Sequence, residues 1–309
     1  MYGDNRDGIW GTEAHDAFAI DSAFLVKRYK TINCGYHHNA AIDENGYVYT
    51  WGRSTFGQLG QGEVINNALP TLLSAPLQEV KIAAVSCGWQ HTMALTNQGF
   101  LFSWGLNING QLGIGDYNDR NVPTVIESLI ADPVSKISAG HSHSAIVTSD
   151  GKLYAWGANP DARLCRKTTY YKLSHRPKNI NKPAFCKALK DRKMIDVSLG
   201  ADHSLFLEDN GTVYASGNAS RGQLGDNYYH PDIYPDPYVQ HFMFSTGDTR
   251  AIKVQAGDGF SAILTSEGEV YTFGLGNYGR LGHHHGVSLT KPSRIDMLSV
   301  SLSKLIRFI

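Results

Sequence analysis

A segment of similar sequence recurs five times along this 309-residue chain. Successive copies open at glycines, and the spacing between these glycines is nearly constant. The opening positions are Gly35, Gly88, Gly140, Gly200 and Gly257. A repeat at this period predicts stacked, similar units, because one such unit cannot bury both of its faces alone.

Each copy has the pattern of a β-meander. Apolar and polar residues alternate in short runs, such as 92–95 and 100–104, and turn residues separate the runs. Asn45-Gly46, Asp150-Gly151 and Asn210-Gly211 suit hairpin turns, because those turns need positive φ. A unit of this length with about four strands is typical of one propeller blade. The sequence therefore predicts an all-β fold, and it does not fit a helical repeat.

Composition excludes several other classes of protein. The chain has 28 Lys and Arg against 28 Asp and Glu, so a uniformly basic nucleic-acid binder is excluded, although a local basic patch is not. The 32 glycines and 16 tyrosines favour short strands joined by tight turns. No stretch approaches 18 apolar residues, so we expect no membrane span. Residues 1–7 do not read as a signal peptide.

The sequence offers no pattern for covalent catalysis or for a bound cofactor. There is no G-K-[ST] phosphate loop and no G-x-S-x-G elbow, and His283-His284-His285 lacks a nearby Cys or carboxylate partner for a metal. We therefore expect no catalytic residue, no metal and no cofactor. The cysteines at 34, 87, 165 and 186 show no C-x-x-C spacing. Their usage indicates a reducing environment, and we expect the cytoplasm, with a nucleus or a host cell equally compatible.

The repeats resemble those of the regulator-of-chromosome-condensation family. The resemblance rests on the G-x-x-H-[ST] turn, an aromatic–Gly pair and the G-Q-L-G motif, as in 88–92, 104–105 and 110–113. It implies a single β-propeller domain over 1–309. Residues 2–11 align with 51–60, and 304–309 align with 81–86, so the chain begins and ends within a repeat. We expect five full repeats plus a split or partial sixth blade, closed by the two termini so that no strand edge is exposed.

A histidine recurs in four of the five copies, at 38, 91, 143 and 203, and Phe260 stands there in the fifth. Recurrence in nearly every unit predicts a structural histidine that bonds a turn, and it argues against a catalytic one.

The resemblance also implies a function. In this family an insertion after the aromatic–Gly pair of one blade forms a wedge that loosens nucleotide binding by a Ran-type small GTPase. The exchange factor acts by stabilising the nucleotide-free state. The third repeat lacks G-Q-L-G after Trp156-Gly157, and the comparable residues there are Asn159, Pro160, Asp161, Ala162 and Arg163.

The loops that open the repeats supply further candidate partner-binding residues. In the family's exchange factor, acidic residues and a histidine of such loops contact the GTPase, and the matching positions here are Asp202, Asp258 and His37. Other variable positions of these loops hold Tyr36, Trp89, Gln90 and His141. Trp89 is either a binding anchor or a residue that packs on the neighbouring blade.

The segment 163–193 is strongly basic. It carries eleven Lys and Arg residues against Asp191. One interpretation is a solvated insertion loop. The other is a patch that attracts an acidic protein, nucleic acid or anionic lipid, with Arg166, Lys167, Lys187, Lys190, Arg192 and Lys193 as its main residues.

Two functions from different classes follow. The first is a monomeric propeller that engages a small GTPase and accelerates nucleotide exchange without covalent chemistry. The second is a non-catalytic scaffold or targeting module, or a domain that docks on chromatin or anionic membranes through 163–193, because fold alone does not determine function.

Overall fold

The strands in the described part of the chain form five successive sheets of four strands each. The computed structural model describes residues 27–74, 76–165, 178–227, 240–243 and 249–296. Within each sheet the strands follow the order of the chain, and neighbouring strands run antiparallel. The predicted all-β fold with a β-meander in each repeat is therefore confirmed.

The strand bounds repeat with the sequence motif. The first two sheets contain β1 Tyr29–Cys34, β2 His38–Asp43, β3 Val48–Gly52, β4 Asn67–Leu72, β5 Ile82–Cys87, β6 His91–Thr96, β7 Leu101–Gly105 and β8 Arg120–Val125. The third contains β9 Val134–Ala139, β10 His143–Thr148, β11 Leu153–Gly157 and β12 Ile180–Phe185. The last two contain β13 Met194–Leu199, β14 His203–Glu208, β15 Thr212–Gly217, β16 Gln240–Met243, β17 Ala251–Ala256, β18 Phe260–Thr265, β19 Val270–Gly274 and β20 Leu289–Arg294. Short 3₁₀ turns span Glu127–Leu129, Lys187–Leu189 and Asn277–Gly279.

Turn chemistry fixes the register of the central hairpins. Gly46, Gly151 and Gly211 have φ values of +87°, +86° and +91°, a region that residues with a Cβ rarely adopt. With the turn held in this way, β2 and β3 pair from His38↔Gly52 to Ile42↔Val48. The residues of both strands are buried, including the polar side chains of His38, Asn39, Asp43 and Thr50.

Buried tryptophans tie successive sheets together. Trp104 and Trp156, each the residue before the last of the third strand of its sheet, are fully buried. The indole Nε1 of Trp104 donates to the carbonyl of Gln58 at 2.9 Å, and Trp156 donates to the carbonyl of Gln111 at the same distance. The aromatic–Gly and G-Q-L-G motifs therefore recur together because each supplies one side of a contact between neighbouring repeats.

The recurring histidine makes a second contact between repeats. His38 Nε2 lies 2.9 Å from Thr92 Oγ1, and His91 Nε2 lies 2.9 Å from Ser144 Oγ. His203 Nε2 lies 2.8 Å from Ser261 Oγ. These rings are fully buried, so the histidines are structural as predicted, but they contact hydroxyl groups on strands of neighbouring repeats and not a turn backbone.

Residue contacts divide the chain into two compact units. The first unit holds the sheets β1–β4 and β5–β8 together with β9 and β10, and the second holds the sheets β13–β16 and β17–β20. The predicted single domain over 1–309 stays a prediction. The predicted sixth blade falls on residues 1–26 and 297–309, outside the described ranges. Among the described residues, no helix has both the length and the apolar character to cross a membrane.

Candidate partner-binding loops

All predicted partner-binding residues lie at one end of their sheets. Because the strands are antiparallel, the connection between the first and second strands leaves from the same end as that between the third and fourth. We call this end the loop edge and the opposite end the turn edge. The candidates at the loop edge are Tyr36, His37, Trp89, Gln90, His141, Asn159, Pro160, Asp161, Arg163, Asp202 and Asp258.

Three aromatic side chains of the first unit meet at its loop edge. The ring centres of Tyr36 and Trp89 are 5.7 Å apart, with the planes inclined at 68°. Trp89 stacks on His141 at 3.7 Å and 28°. Each of the three follows the opening glycine of its repeat. The structure therefore brings together residues that are more than 100 positions apart into one surface, which we call the aromatic strip.

The aromatic strip is partly open to solvent and rests on fixed loops. Tyr36 is 64% exposed, whereas Trp89 is half-buried because it packs between its two neighbours. The backbone carbonyl of His37 accepts from Arg53 N, and that of Gln90 accepts from Leu106 N, both at 2.8 Å. Trp89 thus packs on the neighbouring repeat and also contributes to the surface, and its role as a binding anchor stays a prediction.

The two acidic candidates belong to the second unit and differ in their surroundings. Burial raises the pKa of the Asp202 carboxyl, but the neighbouring His203, Gln223 and Arg163 outweigh it and leave the pKa below its usual range. His203 Nδ1 lies 3.7 Å from this carboxylate. Asp258 is exposed, and its carboxylate lies 3.4 Å from Arg221 Nη1. Asp258 is therefore open to a partner, whereas Asp202 is largely occupied inside the fold.

The residues that were expected to form a wedge lie in the ordinary turn of the repeat. Asn159 Oδ1 accepts from Leu164 N at 3.1 Å, as Asn107 Oδ1 accepts from Leu112 N in the second repeat. Asn159 and Arg163 are only 3% and 7% exposed. Asn159 and Arg163 therefore form the same turn without the G-Q-L-G sequence, and a partner-binding role for this segment stays a prediction.

The backbone carbonyl of Arg163 makes the contacts that the carbonyl of the G-Q-L-G glutamine makes in other repeats. This carbonyl accepts from Ser204 Oγ at 2.7 Å and from Ser216 Oγ at 3.2 Å. The Arg163 guanidinium donates to the carbonyl of Ala201 at 2.9 Å and pairs with Asp161. These contacts turn the side chain inward, so Arg163 packs inside the fold.

The basic segment 163–193 is not one insertion, because β12 and the 3₁₀ turn Lys187–Leu189 are regular parts of the repeat. The extra length lies between β11 and β12, at 158–179, where the corresponding connections of the first two repeats cover 53–66 and 106–119. Arg166 and Lys167 fall outside the described residues.

The described basic residues lie at the turn edge, and several face carboxylates. Arg192 is 3.6 Å from Glu208, Lys193 is 3.6 Å from Asp209, and Lys190 is 4.0 Å from Asp191. Lys187 forms no ion pair with any described residue. The local positive charge is therefore smaller than the sequence of the segment alone indicates.

A disulfide joins Cys165 to Cys186, across a separation of 21 residues in the chain. These two positions correspond to Gly282 and Ile295 of the fifth repeat, which also face each other: a Cβ built on Gly282 would lie 2.9 Å from Ile295 Cδ1. The sequence did not predict this bond. Disulfides are rare in reducing compartments, so this bond does not agree with the reducing environment that the cysteine spacing predicts. The compartment of the protein stays a prediction.

One group of exposed loop-edge residues was not among the predicted partner-binding residues. Tyr278 is 97% exposed, and Arg280 lies beside it. The sequence feature that could have indicated this group is Arg280, which replaces the G-Q-L-G glutamine in the fifth repeat. Among the described residues, no three His, Cys, Asp or Glu side chains converge as a metal site would require.

Comparison with known proteins identifies the repeats. The model of the Regulator of chromosome condensation (RCC1) repeat matches residues 45–95, 98–147, 150–207 and 267–307. A second model of this repeat matches 29–58, 82–111, 134–161, 194–223 and 251–280. The matched segments together cover more than half of the chain.

Curated relatives carry the same repeats within larger proteins. The chain is 35% identical to mouse E3 ubiquitin-protein ligase HERC2 over 262 residues, which are 84% of this chain and 5% of HERC2. It is 34% identical to the Arabidopsis thaliana Ultraviolet-B receptor UVR8 over 227 residues, which are 72% of this chain and 50% of the receptor. The chain thus spans half or less of the length of these two relatives.

Solved structures share the fold at low sequence identity. Human WBSCR16 matches with a TM-score of 0.80 at 21% identity, over 96% of this chain and 75% of that one. Prp20p of Saccharomyces cerevisiae, a protein studied for its binding to Gsp1p and histones, matches with a TM-score of 0.73 at 19% identity, over 96% and 72%. With five matched repeats and this fold, the chain belongs to the RCC1-repeat family and is a β-propeller.

Proposed function

We propose that this propeller engages a small GTPase through the loop edge of its first unit and accelerates release of the bound nucleotide. The observation that carries the proposal is the aromatic strip of Tyr36, Trp89 and His141. Clustered aromatic side chains on rigid loops are the usual anchors of protein interfaces, because they supply large contact areas at low entropic cost. The structural relative Prp20p, with its binding to Gsp1p, supports this class of partner.

The mechanism requires no bond-making by the propeller. A partner that binds the nucleotide-free GTPase more tightly than the loaded one shifts the GTPase toward the empty state. The nucleotide then dissociates faster, and its replacement by free nucleotide releases the propeller. The strip supplies contact area for this differential binding.

A second candidate function is a scaffold that binds its partner without nucleotide release. It is favoured by the inward position of Asn159 and Arg163, because these residues do not project as the wedge of an exchange factor would. The relatives HERC2 and UVR8 also carry such repeats as parts of other proteins. Docking on nucleic acid or anionic membranes is less supported, because three of the described basic residues face carboxylates.

The experiment is a nucleotide-release assay with a Ran-type GTPase loaded with a fluorescent GDP analogue. The propeller should accelerate release, and Trp89→Ala should reduce that acceleration about tenfold, the effect of losing one interface anchor of roughly 1.4 kcal/mol. Ile130→Ala is the matched control, because Ile130 is an exposed apolar residue at the turn edge of the same unit. Thermal unfolding of both variants verifies that the fold is intact.

Each outcome separates the two candidates. Binding of the GTPase without faster release identifies the scaffold. Absence of both binding and release refutes engagement of this GTPase class. An equal loss in Trp89→Ala and Ile130→Ala refutes the role of the aromatic strip.

A further inference from the structure

The fifth repeat departs from the others at the positions that form its loop edge. Arg280 stands where the other regular repeats have the G-Q-L-G glutamine, and Phe260 stands where four repeats have the buried histidine. Tyr278 precedes the first glycine of this motif. All three side chains belong to the second unit and lie on the same edge as Asp258.

The glutamine that Arg280 replaces has a local structural task. In each of three repeats its Oε1 accepts the backbone N–H of the residue two positions earlier, at 2.8 to 2.9 Å. These bonds are Phe56 N to Gln58, Asn109 N to Gln111 and Arg221 N to Gln223. A guanidinium has no acceptor, so Arg280 cannot hold the N–H of Tyr278 in this way.

The backbone of Tyr278 differs from that of its equivalents, including Asp161 of the third repeat, where Arg163 also replaces the glutamine. It has φ +62° and ψ +20°, in the left-handed region, whereas Phe56, Asn109 and Arg221 do not have positive φ. This conformation is unfavourable for a bulky residue, and the Tyr278 side chain is 97% exposed. Internal packing therefore does not explain it, and backbone strain of this kind clusters at binding sites.

The charged groups around Tyr278 are held in fixed positions. Arg280 Nε donates to the carbonyl of Asn277 at 3.0 Å, and its Nη1 donates to the carbonyl of Asp258 at 3.3 Å. The guanidinium carbon lies 6.0 Å from the ring centre of Tyr278 and 5.9 Å from that of Phe260. Among the described residues, Nη2 of Arg280 has no acceptor.

A second arginine adds to the positive charge. Arg221 lies 3.4 Å from the exposed carboxylate of Asp258. The guanidinium groups of Arg221 and Arg280 therefore carry two positive charges near the single negative charge of Asp258. We call Tyr278, Arg280, Phe260 and Arg221 the fifth-repeat patch. It combines two aromatic rings with an excess of one positive charge.

We propose that the fifth-repeat patch binds an acidic protein segment, in which a carboxylate lies beside an apolar side chain. Arg280 offers preoriented N–H donors to the carboxylate, and Tyr278 with Phe260 offers apolar area beside it. Charge complementarity selects an acidic segment over a basic one. This site is separate from the aromatic strip, and the inference does not depend on the partner being a GTPase.

The test uses the full chain and a pair of short synthetic peptides. In one peptide a phenylalanine is flanked by glutamates, and in the other the same phenylalanine is flanked by lysines. Binding is followed by NMR signals of the arginine Nε–H and tyrosine ring groups at low salt. The acidic peptide should shift the signals of Arg280 and Tyr278 saturably, and Arg280→Gln and Tyr278→Ala should each weaken its binding about tenfold.

The variants carry their own controls. Tyr117→Ala removes a half-exposed tyrosine at the loop edge of the second repeat and should leave binding unchanged. Arg280→Gln restores the residue of the other repeats, so it fits the turn, and it should return Tyr278 to negative φ as measured by scalar couplings. Persistence of the left-handed conformation in this variant would contradict the account of the Tyr278 backbone.

Three results would overturn the proposal. The first is equal or tighter binding of the lysine peptide, and the second is tighter binding of single-stranded oligothymidylate, which would identify a nucleic-acid site. The third is unchanged binding of the acidic peptide in both Arg280→Gln and Tyr278→Ala. A GTPase that fails to respond in the release assay leaves this test unaffected, because neither peptide involves it.

Discussion

The buried histidines predict that this propeller loses stability in mild acid. His38 and His91 are fully buried, and burial lowers the pKa of each to about 3, with nearby histidines adding to the effect. The hydroxyl of Ser144 donates its proton to the carbonyl of Gln111 at 2.8 Å, so it accepts from His91 Nε2–H. A second proton would have to sit on Nδ1, which has no partner among the described residues.

The size of the effect follows from the two pKa values of each histidine. An unfolded histidine has a pKa of about 6.5, so below this pH the unfolded chain binds more protons than the folded one. Stability is therefore full above pH ~6.5 and is lost as the pH falls toward the folded-state pKa of about 3. Between pH ~7.5 and ~5, each of these histidines should lower the free energy of unfolding by about 2 kcal/mol.

The perturbation that isolates this effect is His91→Phe. The fifth repeat already holds Phe260 at this position beside its own opening glycine, so the ring has a precedent in the same scaffold. At pH ~7.5 the variant should lose about 1 kcal/mol, because Ser144 loses one hydrogen-bond donor. At pH ~5 this deficit should disappear or reverse, because the variant lacks one proton-linked penalty of about 2 kcal/mol.

The assay is urea unfolding followed by tryptophan fluorescence at several pH values between ~7.5 and ~5. His284→Phe is the control, because His284 is exposed and its replacement should leave the pH dependence as in the parent chain. If the parent and His91→Phe lose the same stability across this range, then burial of the neutral ring is not the source of the acid sensitivity.

Two other contacts between chain segments can be tested in the same assay. Trp104→Phe should lower the free energy of unfolding by about 2 kcal/mol, because the indole bond to the Gln58 carbonyl is lost in a fully buried site; a loss below ~0.5 kcal/mol would contradict this. Reduction of the Cys165–Cys186 disulfide should cost about 3 kcal/mol, the expectation for a loop of this length. Replacing these cysteines by Gly and Ile, the pair found in the fifth repeat, should recover part of that loss under reducing conditions, and no effect of reduction would refute a stabilising role.

Much of the fold could be predicted because its determinants are local. The period of the opening glycines and the Asn-Gly and Asp-Gly turns predicted five β-meanders, and the recurring histidine was recognised as structural from its recurrence alone. The loop edge was also predictable, since antiparallel strands place alternate connections at the same end. The inward position of Asn159 and Arg163 could not be predicted, because a turn without G-Q-L-G can keep the same hydrogen bonds.

The amino-acid sequence by itself determined the number of repeats, the strands in each and the loops at their ends, because spacing, alternation and turn residues act within a few positions. Only the tertiary structure decided which loop residues touch. In the tertiary structure Trp89 stacks on His141, and Lys193 pairs with Asp209. Arg163 is buried, whereas Tyr278 is exposed. These contacts depend on packing between residues that lie far apart in the chain, or on the glutamine side-chain acceptor that Arg280 lacks. The repeat pattern of the sequence does not predict either of them.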